Sequence, residues 1–458
     1  MPSLGVTLSP STSSGQALSK GDTALAGGCD SPVRSGWAVG GKPFVQSRGD
    51  GAYAFDENGK RYIDYIMGYG PLLFGYNHPA LTHNLDELAA RGMLYGSTHP
   101  EEFRLAERIR AEIPSMERVR FTTTGSEAMM SAVRVARAFT QRDLIVRFAG
   151  NYHGHFDAAL FSAGASAQTA DSRRSGIPAG VQRDVAVARY NDLDSVDRAL
   201  RGRESGVAAI LVEPICANMG LVLPVPGFLE GLRERADRYG ALLIFDEIIT
   251  WLRFCHREPG CHGELACHPE SGCHPEESKD PEATKGVRPD LTAVGKILGG
   301  GFPIAAFGGR EDVMSVLAPE GPVFTGGTHA GNPFSVAIAH RVLDLLEAHP
   351  EYYEQMDSLA KRLANGIRTI FERRDLPYAV VQYGSAVDFK FRAGAASRNY
   401  DDALLADASR YAAYYHAMRD RGVLLPPSQN EVMFLSTAHT IGDIEETLIA
   451  IDESLLSS

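Results

Sequence analysis

Lys296 stands in Leu291-Thr-Ala-Val-Gly-Lys296-Ile-Leu-Gly-Gly-Gly301, an apolar run followed by one amine and then three glycines. An ordinary lysine, with a pKa near ~10.4, is protonated and a poor nucleophile at neutral pH. Desolvation or nearby positive charge frees the amine to form an imine with an aldehyde. Gly299, Gly300 and Gly301 let the backbone pass close to a flat ligand or take up positive φ. Read alone, Lys296 is as well explained as a surface lysine at the end of a buried strand, so other residues must decide.

Two segments do so. Ala208-Ala-Ile-Leu-Val212 runs into Glu213-Pro214, and Ala241-Leu-Leu-Ile-Phe245 runs into Asp246-Glu247. Both read as buried parallel strands with acids at their carboxyl ends, where open α/β sheets place ligands. An acid there can cap a helix or sit in a solvated turn. With Lys296 following at the end of another apolar strand, Asp246 reads as the partner of a protonated pyridine nitrogen, which makes pyridoxal phosphate an electron sink.

A phosphate would find a cradle in Phe121-Thr-Thr-Thr124-Gly125-Ser126-Glu127, ahead of a helix whose apolar positions Met129, Ala132, Val133, Ala136 and Phe139 recur at helical spacing. Free amides and the helix dipole attract an anion there, Gly125 admits close approach, and Ser126 adds a donor. Thr124 or Ser126 can equally cap the helix, and both roles are compatible. Leu144-Ile-Val-Arg-Phe148 reads as a strand leading to Gly150-Asn-Tyr152-His-Gly-His155, where Tyr152 offers a ring to stack on the cofactor, or else packs in the core.

In this order, Thr124-Gly-Ser-Glu-Ala128, Tyr152-His-Gly-His155, Glu213-Pro214, Asp246-Glu247, Gly295-Lys296 with its glycines, and Gly327-Thr328-His-Ala-Gly-Asn-Pro333 resemble the class III, fold-type I pyridoxal-phosphate aminotransferases. Within that family the likeness is greatest to the glutamate-1-semialdehyde 2,1-aminomutases, from about Ser31 to about Glu446. The resemblance implies that Lys296 is the catalytic residue and carries the cofactor as a Schiff base, with pyridoxamine 5'-phosphate as the alternate form. It also implies that Asp246 pairs with the ring nitrogen, that Gly125 and Ser126 hold the phosphate, and that Tyr152 stacks on the ring. Thr328 would reach the phosphate of a neighbouring subunit, giving a homodimer with a shared active site. For a small amino-acid or keto-acid substrate, Arg34 in Ser31-Pro-Val-Arg34 would hold the carboxylate through a bidentate guanidinium, unless it is simply a surface arginine. Glu431 sits where the family has an active-site acid.

Three positions depart from the aminomutase pattern. Tyr69 replaces a usual tryptophan, Trp251 a frequent glycine, and Asp388 a small residue. These leave open an intermolecular transaminase of a β-amino or related acid, whereas Ser31-Pro-Val-Arg34 and Ala438-His-Thr440 are aminomutase-like.

Between Arg253 and Val287, Cys255-His, Cys261-His, Cys267-His and Cys273-His repeat at a step of six. Eight such side chains invite a zinc reading, but the spacing lacks the usual short gap between paired cysteines. The Pro, Gly and Glu content favours a tolerated insertion over 255–285, with metal binding and disulfides as alternatives and no metal site assigned. A loop of this length costs little, about 0.6 kcal/mol per doubling.

The elements that must position these groups make an α/β chain: a large domain with a mostly parallel central sheet flanked by helices, and a smaller α+β domain. The boundaries read as a flexible tail at 1–30, an N-terminal segment at 31–95 packing with the small domain, a large cofactor domain at 96–330, and a small domain at 331–458. The last begins with a long helix from Asn332 and includes Ala379-Val-Val381 and Ala386–Phe391 as strands. With 458 residues, 44% of them hydrophobic, the chain can bury more than one core. A net charge of −12 argues against nucleic acid as a partner. No apolar stretch reaches the ~18 residues of a membrane span. Four of the six cysteines belong to the repeat, leaving Cys29 and Cys216, which suits a reducing cytoplasm. The tail has neither the apolar run of a secretory signal nor the arginines of a transit peptide.

Overall fold

The computed structural model describes residues 24–160, 176–254 and 286–455. The Cys/His repeat at 255–285 and most of the tail lie outside the described residues. The chain opens with an antiparallel meander, β1 (Gln46–Asp50), β2 (Tyr53–Asp56) and β3 (Arg61–Asp64). The central sheet is built from β4 (Arg118–Thr122), β5 (Leu144–Phe148), β6 (Val185–Ala188), β7 (Val207–Val212), β8 (Leu242–Asp246), β9 (Leu291–Val294) and β10 (Ala305–Gly309), in the spatial order β4-β10-β9-β8-β7-β5-β6. Neighbours from β6 through β9 are parallel, while β10 runs antiparallel to both β9 and β4. A hairpin of β11 (Ala379–Tyr383) and β12 (Ala386–Lys390) pairs with β14 (Met433–Phe434). Between them β13 (Val423–Leu424) returns to lie parallel to β3, so the two ends of the chain share a sheet.

The apolar runs are continuous because helices cover both faces of the central sheet. Along β8, Ile244 joins one core with Met129, Ala132, Val133 and Ala136 of the helix Gly125–Thr140. Its neighbours Leu243 and Phe245 join the opposite core with Phe228, Leu232 and Ala236 of the helix Phe228–Tyr239. Each such side chain, fully buried, contributes roughly 1.5–3 kcal/mol, so a polar substitution on either face is costly. The strands therefore form a rigid base whose carboxyl ends point Glu213, Asp246 and Lys296 toward one edge.

Candidate active site

The parallel strands β7, β8 and β9 end beside one another, and the groups that follow them line a single cavity of about 190 Å³. Its walls include Gly125, Ser126, Tyr152, Asp246 and Lys296, five of the residues singled out from sequence, together with His153, Glu213 and Asn218.

The helix Gly125–Thr140 begins at the cavity. Thr124 is its N-cap: its hydroxyl accepts from the Glu127 amide at 3.2 Å, while Glu127 Oε2 accepts from the amides of Thr124 at 3.0 Å and Thr123 at 2.7 Å. Capping by Thr124 leaves room for an anion, because helical geometry gives the first-turn amides of Gly125 and Ser126 no intrahelical acceptor. Ser126 Oγ lies 3.1 Å from His155 Nδ1. A Cβ at Gly125 would stand 3.1–3.3 Å from Ile248, tight enough to shift the helix terminus or the turn after β8.

Asp246 is buried. Its Oδ2 lies 2.7 Å from Nδ1 of the fully buried His153, and its Oδ1 accepts from the Ile248 amide at 3.2 Å. Burial pushes the His153 pKa down, against the pull of Asp246, and leaves its Nε2 without a hydrogen-bond partner among the described residues. Glu213 accepts from the Tyr152 and Ala217 amides at 2.7 and 3.1 Å and from Asn218 Nδ2 at 3.1 and 3.0 Å. Burial, reinforced by Asp246, raises its pKa to about 8. Tyr152 is no core aromatic: it keeps 37% of its surface exposed at the cavity wall.

Lys296 opens a short 3-10 turn with φ +44°, a conformation that costs a non-glycine residue of order 1–3 kcal/mol and collects at functional sites. Its Nζ donates to the Tyr69 carbonyl at 2.6 Å, and Tyr69 also has positive φ. Burial holds the Lys296 pKa below the ordinary lysine value. Glu431, Glu213 and Asp246 oppose that shift, and Arg253 adds to it. Of the three glycines behind it, Gly300 and Gly301 take positive φ, but Gly299 does not; it closes the turn against Ile304.

The remaining residues singled out from sequence are not on the cavity wall. Tyr69 meets Lys296 through its backbone carbonyl, and burial pushes its phenol pKa well up. Glu431 is raised to about 7 by burial, with Lys296 and Lys390 pulling it back. Arg34 is exposed, in a turn at Pro32–Ser35, and its charge acts on Tyr69. Thr328 is exposed and outside the cavity wall. Two of the three departures from the aminomutase pattern do not reach the cavity. Trp251 packs in a core with Phe74, Ile297 and Leu298, and Asp388 is buried in an ion pair with Lys390 on β12.

His153, though it lies in Tyr152-His-Gly-His155, received no role from sequence, nor did Asn218 or Arg253. Arg253 is fully buried, donates to the Gly70 carbonyl at 2.5 Å, to Ser385 Oγ at 2.9 Å and to the Leu435 carbonyl at 3.3 Å, and lies 4.4 Å from the centre of the Phe434 ring. It pins the segment bearing Tyr69 to the C-terminal strands. A charged residue six positions after the Asp246-Glu247 pair is the only hint of this in the sequence.

An aldehyde cofactor bearing a protonated heterocycle and a phosphate fits this donor set: an amine held below its usual pKa, a carboxylate fixed by an imidazole, and a helix start that a single methyl group would crowd. Comparison with known proteins agrees. The class-III aminotransferase profile matches residues 37–453. The glutamate-1-semialdehyde 2,1-aminomutase of Syntrophomonas wolfei subsp. wolfei is 42% identical over 432 residues, 94% of this chain and 95% of that one. An omega-transaminase from Sphaerobacter thermophilus superposes with a TM-score of 0.80 at 29% identity, covering 94% of each chain. A glutamate-1-semialdehyde aminomutase from Pseudomonas aeruginosa PAO1, in complex with PMP, does so at 0.75 and 25% identity, over 93% of this chain and 90% of that one. The chain belongs to the class-III aminotransferases, a family of pyridoxal-phosphate-dependent enzymes with the fold-type I architecture.

Proposed function

We propose that this chain is a glutamate-1-semialdehyde 2,1-aminomutase, moving an amino group between neighbouring carbons of one molecule to give 5-aminolevulinate. The convergence of Lys296, Asp246, Tyr152 and the Gly125–Ser126 turn on one cavity supports the cofactor chemistry. The likeness to an aminomutase at 42% identity over nearly the whole chain supports the substrate.

Pyridoxal 5'-phosphate supplies an aldehyde and an electron-poor ring that accepts the electrons released when a C–H bond beside an amine breaks, and pyridoxamine 5'-phosphate is its amino form. The amides of Gly125 and Ser126 and the Ser126 hydroxyl would hold the phosphate at the helix start. Asp246, oriented by His153, would keep a proton on the ring nitrogen. Tyr152 would lie against the ring. Lys296 Nζ would hold the cofactor at rest and, once freed, would move a proton between the substrate carbon that bears the nitrogen and the cofactor carbon. Its lowered pKa suits that role, since a base works best with a pKa near the operating pH. Arg34 anchors the substrate carboxylate, Tyr69 borders the substrate space, and Glu431 faces Lys296 as an acid poised near neutrality. Thr328 reaches the phosphate of a second copy, so the active unit is a homodimer with shared sites. The chain divides near residues 95 and 330 into N-terminal, cofactor and small domains, and works in the cytoplasm on a small amino or keto acid.

A specific observation favours a second reading, intermolecular transamination: the omega-transaminase structure superposes at TM-score 0.80, the aminomutase at 0.75. The sequence argument for it is weakened by the placement of Trp251 and Asp388 away from the cavity. Incubating the cofactor-loaded protein with glutamate 1-semialdehyde alone separates the two. Multiple turnovers to 5-aminolevulinate are expected; no product unless a keto acid is added would replace the aminomutase with a transaminase.

A further inference from the structure

Outside the cavity wall, Lys390 and Asp388 form a buried charge pair on β12. They keep 2% and 5% of their surface exposed, with Lys390 Nζ 3.4 Å from either Asp388 oxygen. Each reaches a different part of the site. Lys390 Nζ donates to the Gln429 carbonyl at 2.6 Å, two residues before Glu431. Asp388 Oδ2 accepts from the Leu221 amide at 3.2 Å, and the Gly220 amide next to it donates to the Asn430 carbonyl at 2.7 Å. Asn218, at the start of that turn, lines the cavity and donates to Glu213. A Cβ at Gly220 would collide with both Lys390 Nζ and Asp388 Oδ2, so the turn closes directly over the pair.

A buried ion pair is weak evidence for stability, because apolar residues of similar volume often serve as well, and its clearest use is to fix a geometry. From this arrangement we infer that Asp388 and Lys390 are positioning residues: the pair clamps the Glu431 loop to the Asn218–Leu221 turn, with Lys390 Nζ held on the backbone two residues before Glu431. The inference rests on the proposed function only in taking Glu431 to face Lys296. The groups that act electrostatically with Glu431 are Lys296, Lys390, Tyr69, Tyr152 and Tyr411. Of these, Lys296 and Lys390 are the cations, and both favour the carboxylate over its buried neutral form.

The test compares wild type, Glu431→Gln, Lys390→Met and the double variant Asp388→Asn with Lys390→Met, which leaves no buried charge unpaired. Two readouts are followed against pH: the absorbance of the bound cofactor without substrate, and kcat with glutamate 1-semialdehyde. A transition near neutrality that Glu431→Gln removes is expected to move up by on the order of one pH unit in the double variant, since a nearby cation has been lost. Lys390→Met should move it in the same direction where that single variant folds. An unmoved transition in the folded double variant would overturn the proposal, as would failure of the double variant to fold, which would assign the pair to stability alone. Absence of turnover with the absorbance transition intact would count against the aminomutase reading and leave the pairing inference standing.

Discussion

The proposed chemistry turns on Lys296, an amine whose ordinary pKa near ~10.4 its surroundings lower. Burial disfavours its ammonium form, while the Tyr69 carbonyl, at 2.6 Å, fixes where the amine sits. Asp246 is fixed as closely, by His153 and the Ile248 amide. Asp246→Asn retains the shape but loses the charge proposed to hold a proton on the cofactor nitrogen. Its kcat is expected to fall by about 10²-fold or more, the scale of a lost proton-holding group, with the fold intact by circular dichroism. A loss under about threefold, far below that scale, would remove Asp246 from that role. Much of this was legible in the sequence, because an acid or an amine ending an apolar run is an unusual placement. The Tyr69 carbonyl contact and the Arg253 anchor were not, since their partners lie 227 and 183 residues away in the chain and no local pattern encodes them.

At the scale of elements, the proposed site gives the start of the helix Gly125–Thr140 two jobs with different residues. Thr124 caps it, and Thr124→Ala is expected to lower stability by about 1 kcal/mol, read from urea unfolding. Gly125→Ala instead forces a methyl group against Ile248, so it should weaken cofactor binding by about tenfold or more in an equilibrium titration, the scale of a distorted anion site. Equal losses of cofactor affinity in both variants would contradict the division of labour. Four strands of the central sheet, β5, β7, β8 and β9, were legible as elements because their apolar runs are bounded by glycine, acid or proline; β4, β6 and β10 were not read. The reversal of β10 between two neighbours was not, because an apolar strand covered on both faces carries no mark of its direction. Asp388 was legible as an anomaly, but its partner Lys390 two residues on was not. Alternation along a strand puts them on the same face, yet only the turn at Gly220 explains why that face is buried.

For the molecule as a whole, the shared sheet of β3 and β13 and the buried side chains around it tie the ends of the chain together. His439 belongs to this junction. Its Nδ1 accepts from the Ser436 amide at 3.0 Å, its ring lies 5.1 Å from that of Tyr65, and burial pushes its pKa down to about 4. Because the folded chain takes up this proton less readily than the unfolded chain, stability is retained above about pH 6.5 and falls as pH drops toward 4. The loss amounts to about 3 kcal/mol at the lower end. His439→Asn should flatten the difference in unfolding free energy between about pH 7 and about pH 4.5, the window in which the unfolded chain alone binds the proton. An unchanged difference would place the acid sensitivity elsewhere. Ala379–Val381 and Ala386–Phe391 were legible as strands, but the pairing of the chain's two ends depends on contacts no window of sequence contains.

The central claim is that one amine, Lys296, holds the cofactor. The direct measurement is borohydride reduction of the cofactor-loaded protein, followed by proteolysis and mass spectrometry. The expected result is a single reduced pyridoxyl adduct on the peptide containing Lys296, absent in Lys296→Ala. An adduct on any other lysine, or none at all, would contradict the assignment of the cavity and of the chemistry built on it.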